Sequence, residues 1–220
     1  LYEGLANFLE AIGDRQGAIA AYRRLIELRP DDFYVCLEMG RLLGEQGKPQ
    51  QGEPLLEKAA QLRPSLPEGW FQLGVVLAAQ GKYAPALECL EHAARIRPQD
   101  SPYAFYTAQV LAKLNRHAEA IEKYRTAIRL NPGDWQAHYE LGGELNAAGQ
   151  LDAACNEFGA AARLNPGYSR THFNYGVLLA KLGRLDAAQR EFEECLRLEP
   201  SYAKAQEYLI QVQMLEKRVR

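Results

Sequence analysis

The sequence has little excess charge of either sign and no long uncharged apolar run. Its 26 basic and 28 acidic residues give a net charge of −2. Nucleic acids and anionic membranes attract proteins that carry a clear basic excess, so this balance gives no electrostatic reason to expect either partner. The longest apolar stretch, around residues 70–81, is shorter than the roughly 18 residues that a membrane-spanning helix needs. We therefore predict no membrane insertion.

The sequence also lacks the motifs of catalysis and of metal binding. It contains no H-E-x-x-H, G-x-S-x-G, Walker loop or G-x-G-x-x-G motif. His138 and His172 are the best candidates for a metal pair because they occupy equivalent positions in adjacent repeats. Two histidines without a third ligand make a poor metal site, and helix packing is the simpler interpretation. We predict a non-enzymatic protein that needs no cofactor and no metal.

The four cysteines show neither C-x-x-C spacing nor a constant place in the repeat described below. We predict free thiols that pack as small hydrophobic side chains, which favours a reducing compartment and a cytoplasmic location. The chain begins at Leu1 with no initiator methionine and no signal segment. We expect the natural protein to continue upstream.

A regular period is the strongest positive feature. Prolines recur every 34 residues, at Pro30, Pro64, Pro98, Pro132, Pro166 and Pro200. A second set recurs in step, at Gly13, Gly47, Gly81, Gly149 and Gly183, with Asn115 in the remaining slot. Glycine and asparagine both tolerate the left-handed conformation that ends a helix. Each period is therefore predicted to contain a helix, a tight turn and a second helix.

Helix starts are predicted from capping residues that follow the periodic prolines. Side chains of aspartate and serine accept hydrogen bonds from the free backbone N–H groups of a first helical turn. The predicted caps are Asp32, Asp100, Asp134, Ser169 and Ser201.

The apolar pattern inside a period carries a family resemblance. In residues 67–100 the pattern positions are occupied by Trp70, Leu73, Gly74, Leu77, Ala86, Leu90, Ala93 and Pro98. This pattern resembles the tetratricopeptide repeat, W-x₂-L-G-x₂-Y followed by alanine, an aromatic residue, alanine and proline. The resemblance covers nearly the whole chain. It implies an all-α fold, a right-handed α-solenoid superhelix of stacked antiparallel helix pairs.

The period also predicts the organisation of the chain as one array. The predicted repeats are residues 1–32, which begin partway into a first helix, then 33–66, 67–100, 101–134, 135–168 and 169–202, with a C-terminal capping helix at 203–220. Residues 33–66 diverge most, because Gly52 stands where the family has alanine and Pro54 falls early in the second helix. We expect that repeat to be looser than the others.

The resemblance implies that the first helices line a concave groove. The position after the packing tryptophan is occupied by Glu3, Leu37, Phe71, Phe105, Tyr139, Phe173 and Glu207. The predicted partner-binding residues are Arg41, Phe71, Gln72, Val75, Phe105, Tyr106, Gln109, Tyr139, Glu140, Phe173, Asn174, Val177, Lys204 and Tyr208. The alternative is that the aromatic rings wedge between neighbouring first helices and contribute only to stability.

The predicted function is a noncatalytic scaffold that binds a peptide or an amphipathic helix of another protein in this groove. One alternative is a substrate- or partner-positioning arm of a larger enzyme such as a glycosyltransferase, or of a cell-envelope assembly factor. Self-association through the N-terminal repeat is a further alternative. The carboxylate clamp of one family subtype is not predicted, because only Asn174 and Lys204 match its pattern.

Overall fold

The structure, a computed structural model, describes residues 2–219 apart from the side chains of Glu216, Arg218 and Val219. These residues form thirteen α-helices, with no strand in the described part of the chain. The predicted all-α class, a solenoid of helix pairs, is confirmed.

The helices follow one another with short connections. They are α1 (Tyr2–Ala11), α2 (Arg15–Leu28), α3 (Phe33–Glu45), α4 (Pro49–Leu62), α5 (Pro67–Ala79), α6 (Tyr83–Ile96), α7 (Ser101–Lys113), α8 (His117–Leu130), α9 (Trp135–Ala147), α10 (Leu151–Leu164), α11 (Ser169–Lys181), α12 (Leu185–Leu198) and α13 (Ala203–Val219). They fall into two compact units, Leu1–Arg116 and His117–Arg220. We call these the N-terminal unit and the C-terminal unit.

Both units are built from helices that pack on their neighbours in sequence. In the N-terminal unit α1 packs on α2, α3 on α4 and α5 on α6, while α7 packs on α6. In the C-terminal unit α9 packs on α10 and α11 on α12, while α13 packs on α12. Each unit therefore buries its core as a series of neighbour contacts, as expected of a repeat protein.

The turns inside the pairs adopt the predicted left-handed conformation. The five periodic glycines have φ between 72° and 79°, and Asn115 has φ 60°. After each of these residues the backbone turns back and forms a hydrogen bond to the last turn of the helix. At the end of α9, the Gln150 N–H donates to the Leu145 carbonyl oxygen at 2.9 Å. This bond satisfies a carbonyl that the end of the helix leaves free.

The predicted helix starts are only partly confirmed. Asp32 and Asp134 accept bonds from the first backbone N–H groups of α3 and α9. Asp100 occupies the cap position of α7 without a side-chain bond. Ser169 was wrongly predicted as a cap, because it is the first residue of α11 and Tyr168 takes the cap position. Ser201 lies two residues before the start of α13.

Close approach of the paired helices depends on small residues. A Cβ added to Gly142 would stand 3.0 Å from the Phe158 ring, and one added to Gly176 would stand 2.8 Å from Phe192. In the repeat that we expected to be loose, a Cβ at Gly52 would lie 2.5 Å from the backbone oxygen of Gly40. The glycine that replaces alanine there allows a backbone contact, so α3 and α4 are tightly packed.

The cysteines match the prediction of buried free thiols. Cys36, Cys89, Cys155 and Cys195 are all buried and unbridged. Burial raises the pKa of Cys89 and of Cys195 to about 11. A thiol with so high a pKa carries almost no thiolate at neutral pH and is a poor nucleophile.

Among the described residues, no helix has the length and apolar character needed to cross a membrane.

Candidate functional site

The predicted groove aromatics differ in how far they are buried. Phe105 is only 8% exposed, so its ring belongs to the core and the wedge interpretation applies to it. Phe71, Tyr139 and Phe173 are half-buried and keep part of each ring exposed. Tyr106 is also half-buried and meets the edge of Phe71 with ring centroids 5.3 Å apart. Partial burial suits a side chain that both packs and meets a ligand.

In the N-terminal unit, the Arg41 side chain forms ion pairs with other residues of the same unit. Its guanidinium contacts the carboxylates of Glu10, Glu38 and Glu45 at 2.5, 2.8 and 2.7 Å. Such a fully paired cation has little capacity left for an external acid. The other predicted members on this side, Gln72, Val75 and Gln109, are half-buried.

A cavity of about 600 Å³ lies beside this cluster and is lined partly by Glu3, Glu10 and Glu38. Arginine side chains of the same unit neutralise its carboxylates. Arg29 pairs with Glu3 at 3.0 Å, and Arg41 pairs with the other two glutamates. The Tyr22 hydroxyl donates to Glu10 at 2.8 Å. The acidic groups of this cavity are therefore largely satisfied by the fold.

The C-terminal unit contains a cavity of about 320 Å³, which we call the C-terminal cavity. Helices α9, α10, α11 and α13 supply its lining: Gly143, Asn146, Phe158, Phe173, Asn174, Val177, Leu178, Lys204, Glu207 and Tyr208. It brings together five of the predicted partner-binding residues, those at 173, 174, 177, 204 and 208. Tyr139 joins them through its hydroxyl, which accepts a bond from the Asn174 amide at 3.1 Å. Glu140 is half-buried on α9.

The cavity combines an apolar interior with a polar rim. Phe158 and Leu178 are buried beneath it. Lys204 and Glu207 are exposed at the rim, and neither makes a hydrogen bond or ion pair with another described residue. A Cβ added to Gly143 would meet nothing within 4 Å, so this glycine borders open space. Asn146 and Glu207 were missed as site residues: no repeated pattern marks Asn146, and Glu207 occupies the repeated position of the groove aromatics but is not aromatic.

A group of aromatic residues beside the cavity was also missed. Trp135 and Tyr168 have ring centroids 4.9 Å apart, and Tyr168 lies 5.6 Å from Tyr139. Tyr202 packs on Phe173 at 5.0 Å. The signal was present in the sequence, since Tyr168 stands in the cap position that aspartate occupies before α3 and α9.

Burial raises the pKa of Tyr139 and of Tyr202. Both hydroxyl groups therefore remain protonated at neutral pH and are available as hydrogen-bond donors.

The two histidines pack as substitutes for tryptophan. In the N-terminal unit, the Trp70 indole N–H donates to the Pro64 carbonyl at 3.0 Å. The Nε2 atoms of His138 and His172 lie 3.2 and 3.1 Å from the equivalent proline carbonyls. Their Nδ1 atoms contact glutamates, as in the 2.7 Å contact of His172 with Glu191. No group of three or more potential ligands in the described part of the chain could hold a metal ion.

The His172 contacts predict a pH dependence of stability. The hydrogen bond to Glu191 raises the pKa of His172, against the opposing effect of burial. A raised folded-state pKa stabilises the fold fully below the unfolded value of about 6.5, and this contribution is lost as pH rises through the folded pKa. We expect about 1 kcal/mol of unfolding free energy, the usual contribution of one hydrogen bond, to disappear over that range.

Chemical denaturation of the wild type and of His172→Gln between pH 5.5 and pH 9 measures this effect. The wild type should lose stability relative to the variant as pH rises. Parallel pH profiles would show that folding does not shift the pKa of His172, and would contradict the prediction.

Comparison with protein-family models gives the same family along most of the chain. Models described as tetratricopeptide repeat match residues 1–33, 43–114, 105–169 and 169–202. No curated protein matches the chain.

Solved structures show the same fold at low sequence identity. PilF of Pseudomonas aeruginosa has a TM-score of 0.83 at 18% identity, with 96% of each chain covered. YrrB, described as a TPR protein with an unusual peptide-binding site, has a TM-score of 0.70 at 23% identity, covering 86% of this chain and 97% of its own. MamA has a TM-score of 0.68 at 23% identity, covering 74% and 95%. The chain belongs to the tetratricopeptide-repeat family.

Proposed function

We propose that this protein is a noncatalytic interaction scaffold that holds a peptide or helix segment of a partner protein in the C-terminal cavity. The observation that carries the proposal is the cavity itself, a space of about 320 Å³ with Phe158 and Leu178 in its lining and with Lys204 and Glu207 at its rim. Ligand sites are typically concave, mostly apolar and equipped with a few polar groups that set orientation. A side chain of the partner would enter the cavity while its backbone meets the rim.

The fold relatives give this proposal general support. Protein interaction is the usual role of the repeat family, and the name of YrrB assigns a peptide-binding site to that protein.

Self-association through the N-terminal repeat stays a prediction. The exposed side chains of Leu5 and Phe8 on α1, and of Ile12 directly after it, support it.

The chemistry of the nucleophilic and basic residues supports a noncatalytic role. Both ring nitrogens of His138 and of His172 are engaged by acceptors within the fold. The cysteines are buried. A catalytic base or nucleophile must instead reach a substrate.

The test is a selection of displayed peptides on the wild type, followed by affinity measurement with Gly143→Leu. Because Gly143 borders open space, leucine there should fill the cavity without displacing its neighbours. We expect at least tenfold weaker binding of the selected peptides to this variant. Asn156→Leu, at an exposed position of α10 outside the cavity lining, is the matched control and should bind normally.

Two outcomes would contradict the proposal. Equal binding to Gly143→Leu and to the wild type would place the peptide site elsewhere. A selection that yields no binding peptide would argue against a peptide-binding role for the cavity.

A further inference from the structure

The C-terminal unit carries more half-buried aromatic side chains than a binding cavity for one side chain requires. We call the set formed by Trp135, Tyr139, Tyr168, Phe173, Tyr202 and Tyr208 the aromatic surface. All six side chains are half-buried. Tyr168 contacts both Trp135 and Tyr139, while Phe173 contacts Tyr202 and Tyr208 with centroids 5.0 and 5.6 Å apart. Asn174, which follows Phe173 on α11, donates to the Tyr139 hydroxyl at 3.1 Å and so links the two groups.

The aromatic surface offers hydrogen-bond donors that the fold does not use. The Trp135 indole N–H and the hydroxyl groups of Tyr168, Tyr202 and Tyr208 make no hydrogen bond with any other described residue. The contrast with Trp70 is direct, because its indole N–H is bonded to the Pro64 carbonyl. The surface therefore presents flat apolar rings whose edge donors are left to solvent or to a ligand.

A flanking cation adds to the donors. Arg170, exposed in the first turn of α11, lies close enough to Tyr139 and Tyr202 to act against the increase in their pKa. Like the indole N–H, its guanidinium has only donors and no acceptor. A ligand that matches this surface must supply acceptors and apolar faces.

Tyr168 occupies the cap position of α11 and forms no side-chain cap bond there, which lowers the stability of that helix end. Tyrosine cannot make the side-chain cap bond that Asp134 makes at the start of α9, and α11 begins without one. Losing such a cap typically costs about 1 kcal/mol. Helices α5 and α7 also begin without a side-chain cap bond, so the feature that bears on binding is the ring itself, which packs against Trp135 and Tyr139.

We propose that the aromatic surface binds a proline-rich segment of the partner in the extended polyproline II conformation. This inference rests on the proposed function, of which it names the partner class. Proline has no N–H, its backbone carbonyls remain free in polyproline II, and its ring is a compact apolar group that packs on aromatic side chains. Such a segment supplies acceptors and apolar faces without needing acceptors from the protein.

An amphipathic helix fits these donors less well. Its backbone carbonyls are already bonded within the helix except in the last turn. Only its side chains could accept from the indole and hydroxyl groups, and a polar side chain would be needed at each of those positions. Donor complementarity thus favours the extended segment over the helix.

The experiment is a titration of the full chain with an acetylated decaproline peptide, followed by the two indole N–H signals in NMR spectra. The chain has two tryptophans, so Trp70 serves as an internal control, and Trp135→Phe assigns the signals. We expect the Trp135 signal to shift with decaproline and the Trp70 signal to stay in place. A glycine-serine decapeptide should shift neither.

The paired variant Tyr168→Phe/Tyr202→Phe removes two hydroxyl donors and keeps both rings. We expect decaproline to bind it at least fivefold more weakly. Tyr34→Phe, at a tyrosine of the N-terminal unit that is 55% exposed, should leave binding unchanged. Unaltered binding to the paired variant would overturn the donor argument.

The remaining outcomes separate this inference from the proposed function. Failure of decaproline to shift Trp135, while peptides selected on the C-terminal cavity still bind, would overturn the proline-rich assignment and leave the cavity proposal standing. Failure of both would count against both. Stronger binding of a cello-oligosaccharide than of decaproline, with the same dependence on Tyr168 and Tyr202, would reassign the surface to a sugar.

Discussion

Replacing Gly142 with leucine is expected to lower the free energy of unfolding by about 2 to 3 kcal/mol, in the range of an overpacked core. The cause is the contact between α9 and α10, where an added Cβ would stand 3.0 to 3.1 Å from three ring atoms of Phe158. Leucine would extend further into the buried ring. For a unit of this size the melting temperature should fall by on the order of 10 °C.

The neighbouring residue provides the control. Gly143→Leu adds the same side chain to the same helix, but a Cβ there meets nothing within 4 Å. Glycine is also a poor helix former, so this change should be neutral or slightly stabilising, within about 1 kcal/mol. Melting curves by circular dichroism measure both variants. Equal melting temperatures would mean that Gly142 does not set the approach of α9 to α10.

The difference between these adjacent glycines shows what a repeat pattern can predict. The period identifies Gly142 as a packing position, because each repeat places a small residue where its two helices cross. It also identifies the turn glycines and Asn115, whose positive φ values follow from the need to end a helix tightly. These features recur in every repeat, so six copies of the same constraint are visible in one sequence.

The candidate site is less predictable because its residues do not recur. The pattern led to Phe173, Asn174, Val177, Lys204 and Tyr208, which share one cavity. The repeat pattern could not show that the Arg41 guanidinium forms ion pairs with carboxylates of its own unit, because one of them, Glu10, lies far away in sequence. Nor could it show which aromatic rings are buried. Burial depends on the size of the side chains on adjacent helices.

Tyr168, in the cap position of α11, is a residue that the sequence could have singled out. The periodic prolines led to a predicted cap at Ser169, because serine is a favoured capping residue. The helix instead begins at Ser169, whose hydroxyl donates to Glu199 at 2.7 Å. A departure from the local rule at such a position is a reason to look for a functional surface.

Phe105→Glu is expected to destabilise the N-terminal unit by about 3 to 5 kcal/mol, because it removes a buried ring and places a carboxylate in an apolar environment. Phe105 is 8% exposed, and its ring meets the edge of Tyr106 with centroids 5.5 Å apart. The variant should show a lowered melting temperature and a reduced denaturant midpoint. The slope of the denaturant transition reports whether unfolding remains cooperative.

Tyr34→Glu is the matched control, since Tyr34 is an aromatic residue of the same unit with 55% of its surface exposed. A carboxylate there remains in water, so the free energy of unfolding should change by less than about 1 kcal/mol. If Phe105→Glu were as stable as Tyr34→Glu, the ring would have to leave the core readily, and Phe105 would return to the set of residues available to a partner. A large loss with Phe105→Glu alone would leave the half-buried rings as the aromatic side chains available to the proposed partner.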